Sequence, residues 1–396
     1  MKRSIREDGL HFPIIINEEG IVLDGHNRLR ACEELGIEPR FETRDFSGDK
    51  LQERKFVIVS NLRRRHLNSF QRIELSQPLL KIERTLAKER MVKAGERSLL
   101  PDGSTPTRGE AVQGVAREIG VSARTYYRAL ALIERESDEV KRKLRAGKLE
   151  VNSAYVNLQS NERRRELSAL SAKPLPRTAN VFCGDYRKIW PDHIKVNSVD
   201  MVFTDPQYGT TSLGKKMRRA NPDSLIELWD DLGRFSRRVL KRGGYLLAYS
   251  GQQFGYVAET CLRKYLDFYW KITVVYGSSQ SQLFRKKIRN RAKQVLVFSK
   301  GMGRDHEWVF DLLRGGGRGE KEIHEWAQPE SEARYLIGKF TKPNELVVDP
   351  MCGSGSALKA ALNLRRRAIG FEIDPERFRV AKGVLAELAA GSNLEL

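Results

Sequence analysis

Apolar and polar positions follow different rhythms along this chain, and each rhythm predicts a different architecture. Pro13 to Asn17 and Ile21 to Leu23 are short apolar runs around an Asn-Glu-Glu-Gly turn, which predicts two short strands. Arg28, Ala31, Cys32 and Leu35 then share one face of a helix that Gly36 stops, and residues 67–93 predict a long, strongly charged helical stretch. In GEAVQGVAREIGVSARTYYRALALIE, Ala116 lies in a helix closing at Gly120, Ser122 N-caps the next, and Tyr126, Ala129 and Leu130 face inward. That is a helix-turn-helix pattern. It leaves Arg124, Tyr127 and Arg128 outward, where a second helix meets the major groove; two helices packed for structure alone are the open alternative. A third rhythm is continuous. Val199 to Phe203, Leu346 to Val348 and Ala368 to Phe371 are uninterrupted apolar runs, as strands buried on both faces of a parallel sheet require.

Proline, glycine and serine cluster without apolar periodicity at Gly95 to Gly109 and Ser171 to Thr178. These linkers predict a small α+β domain over 1–95, the helix-turn-helix and linker over 96–177, and an α/β domain over 178–396. No apolar run is long enough to span a bilayer, and the opening MKRSIREDGL has no apolar signal core, so a cytoplasmic location without a membrane partner is expected. Lysine and arginine total 71 against 51 acidic residues, a net charge of +20, which points to a polyanion such as double-stranded DNA. A basic surface with no such partner is the plainer alternative. Cys32, Cys183, Cys261 and Cys352 are far apart and lack the spacing zinc needs, so buried, reduced thiols and no metal are expected.

The densest chemical signal is LVVDPMCGSGSALKAALNLRRRAIGFEID, from Leu346 to Asp374: strand, glycine loop, helix, strand, acid. Gly353 and Gly355 let the backbone approach a ligand, and a helix starting near Ser356 presents its first amides to it. Glu372 ends the second strand where an acid accepts hydrogen bonds from ribose hydroxyls. Upstream, VDMVFTDPQYG places Asp205, Pro206, Gln207 and Tyr208 at the end of another buried strand, and Asp185 in VFCGDYRKI follows a short apolar run. A strand-ending turn explains an isolated Asp-Pro equally well. Its combination with a glycine loop and a ribose-type acid is what singles it out.

In content and order, residues 178–396 resemble the amino-methyltransferase family of DNA modification enzymes, in the beta arrangement where the catalytic tetrapeptide precedes the cofactor loop. DPQY at 205–208 matches D/N/S-P-P-Y/F/W, DPMCGSG at 349–355 matches D-P-F-x-G-S-G, and GFEID at 370–374 matches the ribose-binding acid. The resemblance implies a Rossmann-like sheet and S-adenosylmethionine, held by Asp185, Asp349, Pro350, Met351, Gly353, Ser354, Gly355 and Glu372. It also implies catalysis by Asp205, Pro206 and Tyr208. Gln207 departs from the family's second proline, Met351 from its phenylalanine and Ser356 from its frequent threonine. Aspartate in the first position resembles adenine-directed members, so adenine N6 is expected ahead of cytosine N4. An exocyclic amine is a poor nucleophile because its lone pair is delocalised, so the enzyme must accept hydrogen bonds from its protons as the nitrogen pyramidalises. Asp205 and the Pro206 carbonyl suit that task, and Tyr208 suits stacking on a base taken out of the duplex.

Lys215, Lys216, Arg218 and Arg219, then Arg285, Lys286, Lys287, Arg289 and Arg291, are candidate phosphate contacts, with a solvated face as the alternative. Gly301 to Ile323 is the expected target-recognition insert. The N-terminal segment PIIINEEGIVLDGHNRLRACEELGI at 13–37, NLRRRHL at 61–67 and the helix-turn-helix resemble the ParB partition-protein family. That resemblance implies a cytidine nucleotide at Gly25, His26, Arg28 and Arg64, although Ser60 replaces an acid tied to nucleotide hydrolysis; a DNA-positioning role is the alternative. The expectation as a whole is a modular DNA methyltransferase acting on double-stranded DNA, with a homodimer as its assembly. A DNA-binding regulatory protein with a decayed methyltransferase domain and an RNA base methyltransferase are the rival readings.

Overall fold

The computed structural model describes residues 2–62, 67–95, 110–206, 222–252, 255–277, 281–283, 287–315 and 330–391. They form two compact units, Met1–Leu158 and Gln159–Leu396. The first contains α1 (Lys2–Asp8), β1 (Ile14–Ile16), β2 (Val22–Asp24), α2 (His26–Leu35), β3 (Phe41–Thr43), α3 (Lys50–Leu62), α4 (Ser69–Leu75), α5 (Gln77–Gly95), α6 (Glu110–Glu118), α7 (Ala123–Arg135) and α8 (Asp138–Arg145). Helix α9 (Val151–Leu170) begins in this unit and ends in the next.

Strand β1 pairs antiparallel with β2, as its apolar run predicts, and parallel with β3, whose exposed residues give no such signal. The helical stretch expected over 67–93 is made of two helices. Asn68 caps α4 by accepting from the Gln71 amide, and the buried Ser76 ends it, its hydroxyl bonded to the Ile73 carbonyl and, at 2.8 Å, to the Tyr126 hydroxyl. In α7, Ser122 accepts from the Thr125 amide at 3.1 Å and Gly120 takes the left-handed turn at φ 69. Tyr126, Ala129 and Leu132 are its buried face; Leu130, expected there, is half-buried. Phe70, Ile73 and Leu79 share one core with Val112, Tyr126, Leu132 and Leu144, so a continuous core runs across the expected boundary at residue 95.

The second unit contains β4 (Ala179–Cys183), α10 (Tyr186–His193), β5 (Val199–Thr204), α11 (Pro222–Val239), β6 (Leu240–Ser250), α12 (Gly255–Leu262), β7 (Asp267–Val275), β8 (Ser281–Leu283), β9 (Ile288–Asn290), β10 (Ala292–Ser299), β11 (Leu312–Arg314), α13 (Glu330–Phe340), β12 (Leu346–Asp349), α14 (Ser356–Asn363), β13 (Arg367–Glu372) and α15 (Pro375–Gly391). Strands β8 and β9 form a hairpin; the remainder make an 8-stranded sheet in the order β11-β7-β10-β6-β5-β12-β13-β4. Strands β6, β5, β12, β13 and β4 run parallel, and β10 is antiparallel between β6 and β7.

Alternation along the strands sends Met201, Phe203, Leu247 and Tyr249 to one face, under α13, α14 and α15. Val202, Leu246, Ala248 and Val348 go to the other, against Trp229 and Phe235 of α11 and Leu262 of α12. Each such fully buried large side chain stabilises the fold by roughly 1.5–3 kcal/mol. The expected target-recognition insert differs from what is found: β11 lies within it and extends the main sheet alongside β7, while residues 316–323 lie outside the described ones. Cys183 corrects another expectation. It is exposed, because it ends β4 at the sheet's edge, whereas Cys32, Cys261 and Cys352 are buried and all four are free thiols. Among the described residues no helix is long and apolar enough to cross a membrane.

Candidate active site

Across the parallel part of the sheet the chain's march reverses between β5 and β12. From β5 the chain moves outward to β6, whereas β12 and β13 build the other side, so β5 and β12 flank the switch point. Helices leave such a point on opposite faces and a crevice opens beyond the carboxyl ends of its strands. The two strands are in register there, Met201 opposite Val347 and Val202 opposite Val348. At their other ends the buried Asp200 accepts from the Leu346 amide at 2.9 Å and is held by Lys241 at 2.8 Å and Arg304 at 3.0 Å. Asp205 and Pro206 therefore emerge from β5 beside the loop that leaves β12 at Asp349.

That loop is shaped by its glycines and pinned by an acid. Gly353 has φ 53 and Gly355 φ 84, both left-handed, and Gly355 N-caps α14 where a Cβ would sit 3.3 Å from Ala381. Glu372, at the tip of β13, accepts from the Gly353 amide through Oε2 and from the Asp374 amide through Oε1, each at 2.9 Å. The Cys352 amide donates to the Phe371 carbonyl at 2.9 Å, and the Gly184 amide to the Glu372 carbonyl at 2.9 Å. The tips of β4, β13 and β12 are thus stitched to one another around the loop.

Carboxyl groups concentrate at this edge. Burial pushes the Asp349 carboxyl up to about 7, aided by the charges of Asp205 and Glu372 and opposed by the Met351 amide, which donates to Oδ1 at 3.0 Å. The Thr204 hydroxyl is buried beside it without reaching a hydrogen-bonded geometry. Burial also raises Glu372. Asp185 behaves oppositely. It caps α10, and the Arg187 guanidinium, 2.7 Å away, holds its carboxyl below the usual carboxylate range.

Sequence reasoning missed the groups on the far side of Asp205. Lys293 of β10 brings Nζ to 3.7 Å from Asp205 Oδ2 and 5.8 Å from the ring centroid of Tyr249. The Tyr249 and Tyr276 hydroxyls both donate to Oε2 of the buried Glu332, at 3.0 and 3.1 Å. The available signal was a lysine two residues before the apolar run Val295–Phe298, which reads as a strand end rather than a partner.

Other expected site residues are distributed as follows. Pro350 is buried, Met351 and Ser354 are half-buried in the loop, and Pro206 is buried after β5. Tyr208, Lys215, Lys216, Arg218, Arg219, Arg285, Lys286, Gln207 and Arg64 lie outside the described residues. Lys287, Arg289 and Arg291 are exposed. In the first unit Arg124 and Tyr127 are exposed at the start of α7. Arg128, expected to face outward, is instead half-buried, bonded to Asn152 and lying 5.5 Å over the Tyr155 ring, because α9 comes up against it. Gly25 caps α2 at φ 102, His26 is exposed, and Arg28 pairs with Asp24 at 2.9 Å.

A glycine loop, a strand-end acid and a second acidic strand tip lie together at the switch point of a Rossmann-like sheet. Residues 199–383 match the family described as DNA methylase, of the N6/N4 methyltransferase type. It is 26% identical over 214 residues to the putative methylase YubD of Escherichia coli, covering 48% of this chain and 83% of that protein. It is 23% identical over 240 residues to the type II methyltransferase M.HinfI of Haemophilus influenzae, covering 50% of this chain and 65% of that protein. Among solved structures, a putative DNA modification methylase from Thermus thermophilus, crystallised with S-adenosyl-L-methionine, aligns at 21% identity and TM-score 0.41. The alignment covers 54% of this chain and 96% of that one.

Proposed function

We propose that the chain is an S-adenosylmethionine-dependent DNA methyltransferase that methylates an exocyclic base amine, adenine N6 ahead of cytosine N4. The observation that carries this reading is the emergence of Asp205 and the 349–355 loop from adjacent, registered parallel strands. The residues suit the donor. Two left-handed glycines clear the space a Cβ would fill, the Glu372 carboxylate lies where ribose hydroxyls donate, and the acidic edge favours a cation. When bound, the donor supplies an electrophilic methyl on a positively charged sulfur.

The chain's own residues do the rest. Asp205 and the Pro206 carbonyl accept the two N–H bonds of the amine, which draws its lone pair out of the ring and toward the methyl. Asp205 lies close enough to Asp349 for their charges to interact, and its own carboxylate stabilises the positive charge that develops on nitrogen. Tyr208 is assigned the stacking role on the resemblance alone. In the first unit, Arg124 and Tyr127 on α7 are the DNA contacts of a helix-turn-helix, and Arg128 serves by orienting α7 against α9. A cytidine nucleotide at Gly25, His26 and Arg28 has less support, because Arg28 is already paired, and it stays outside the proposal. The homodimer belongs with the proposal and is measured by sedimentation equilibrium.

Incubation with tritiated S-adenosylmethionine and duplex DNA, followed by modified-base sequencing, tests the reading. Label at N6-methyladenine is the expected result. N4-methylcytosine would reassign the target, label entering RNA in preference to DNA would replace the substrate, and no label in either would overturn the enzyme.

A further inference from the structure

Lys293, Tyr249, Tyr276 and Glu332 play no part in the reaction as derived above, yet they converge behind Asp205 from β10, β6, the end of β7 and α13. Lys293 starts on the far side of β6 from β5, and its side chain crosses the tip of β6 to reach Asp205. Both side chains are only about a quarter exposed, 24% for Lys293 and 28% for Asp205. Holding a lysine extended across a neighbouring strand costs side-chain entropy, and shielding its charge costs hydration; a well-placed partner offsets both.

The route beneath the lysine is itself immobilised. Tyr249 is fully buried, and its ring stands edge-on to Phe203 at 5.9 Å and 88°, two residues before Asp205. Its hydroxyl is fixed by Glu332, which Tyr276 holds from the other side. The ring thus presents one negative face to the ammonium in a single orientation.

We propose that Lys293 is a positioning residue: across the fixed ring of Tyr249, it holds the Asp205 carboxylate in the orientation that accepts the target amine. This rests on the methyltransferase reading. Without the Lys293 ammonium beside it, the carboxylate is no longer held in that orientation. A displacement on the order of 1 Å at the reacting centre costs about 10²-fold in rate.

The full-length chain carrying Lys293→Met or Lys293→Arg, with duplex DNA and tritiated donor, tests this. For Lys293→Met the expected result is a kcat lower by about 10²-fold, with the KM for DNA, the calorimetric affinity for S-adenosylmethionine and the thermal midpoint unchanged. Lys293→Arg, which keeps the charge, recovers most of the rate. A Tyr249→Phe chain, which keeps the ring and frees it from Glu332, loses less than Lys293→Met and also in kcat alone. Wild-type kcat in Lys293→Met, equal impairment by Met and Arg, or a loss confined to the KM for DNA would each overturn the positioning role. The two readings separate in the wild-type arm: an active wild type with an equally active Lys293→Met removes only the positioning role, whereas an inactive wild type removes the enzyme and this inference together.

Discussion

In the C-terminal unit Asp205, after β5, meets Asp349, Gly353 and Glu372, from a segment far along the chain, at one edge of one sheet. In the N-terminal unit Gly25, His26 and Arg28, or Arg124 and Tyr127, sit within a turn of each other at the start of a single helix. The first arrangement exists only when the whole sheet is assembled, and its polar groups are buried, mutually repelling or tied to backbone amides. The second needs one helix and one cap, and its side chains remain exposed or paired locally. Convergent, buried groups suit bond-making, where geometry sets the rate; local, exposed charge suits grip, where summed contacts set the affinity.

Substitutions that separate rate from grip put this contrast at risk. Asp205→Ala is expected to lower methyl transfer by about 10²–10³-fold or more while leaving donor affinity intact by calorimetry; near-normal turnover would remove the strand tip from the chemistry. Asp349→Asn acts through protons. In the folded chain Asp349 keeps its proton up to about pH 7, whereas unfolded it ionises near 3.8. Between those values the unfolded chain binds fewer protons, so stability present at about pH 4 is lost as pH rises to about 7. Asparagine has no proton to lose, so the melting temperature of Asp349→Asn should gain on the wild type across that window. Parallel curves would mean the carboxyl titrates normally.

Smaller effects follow at the loop and at α7. Gly355→Ala places a Cβ at φ 84 beside Ala381, which costs roughly 1–2 kcal/mol and should show as a lower melting temperature with weaker donor binding. An unchanged midpoint would show the loop to be plastic. Arg124→Ala with Tyr127→Ala should weaken duplex binding by about tenfold and flatten the salt slope by about 1, with kcat at saturating DNA retained. A preserved slope would detach α7 from the duplex and leave the first unit a scaffold.

The meeting of these strand tips was legible because its signals are local. Asp205, the 349–355 loop and Glu372 each end an apolar run, and strand ends are where a parallel sheet puts its chemistry. What stayed hidden depends on which elements become neighbours. Lys293 is opaque until β10 is known to lie beside β6, and Glu332 until α13 is known to cover Tyr249 and Tyr276. Arg128 points outward on an isolated helix, but Asn152 and Tyr155 of α9 arrive to cover it. Ser76 sits in sequence that suits an unbroken helix; the Tyr126 hydroxyl on a distant helix is what rewards the break. Strand β3, exposed along its length, has no apolar run to announce it.

Strand β12 lies between β5 and β13 in space, yet the ribosome makes it after β5, β6, β7, β10 and β11. Until it emerges, β5 offers a row of unanswered amides and carbonyls along Val199, Met201, Val202 and Phe203, the kind of naked edge that recruits stray strands. The same late segment that closes this edge also delivers the glycine loop, so during synthesis the cover for the exposed strand and the loop beside Asp205 arrive in one step.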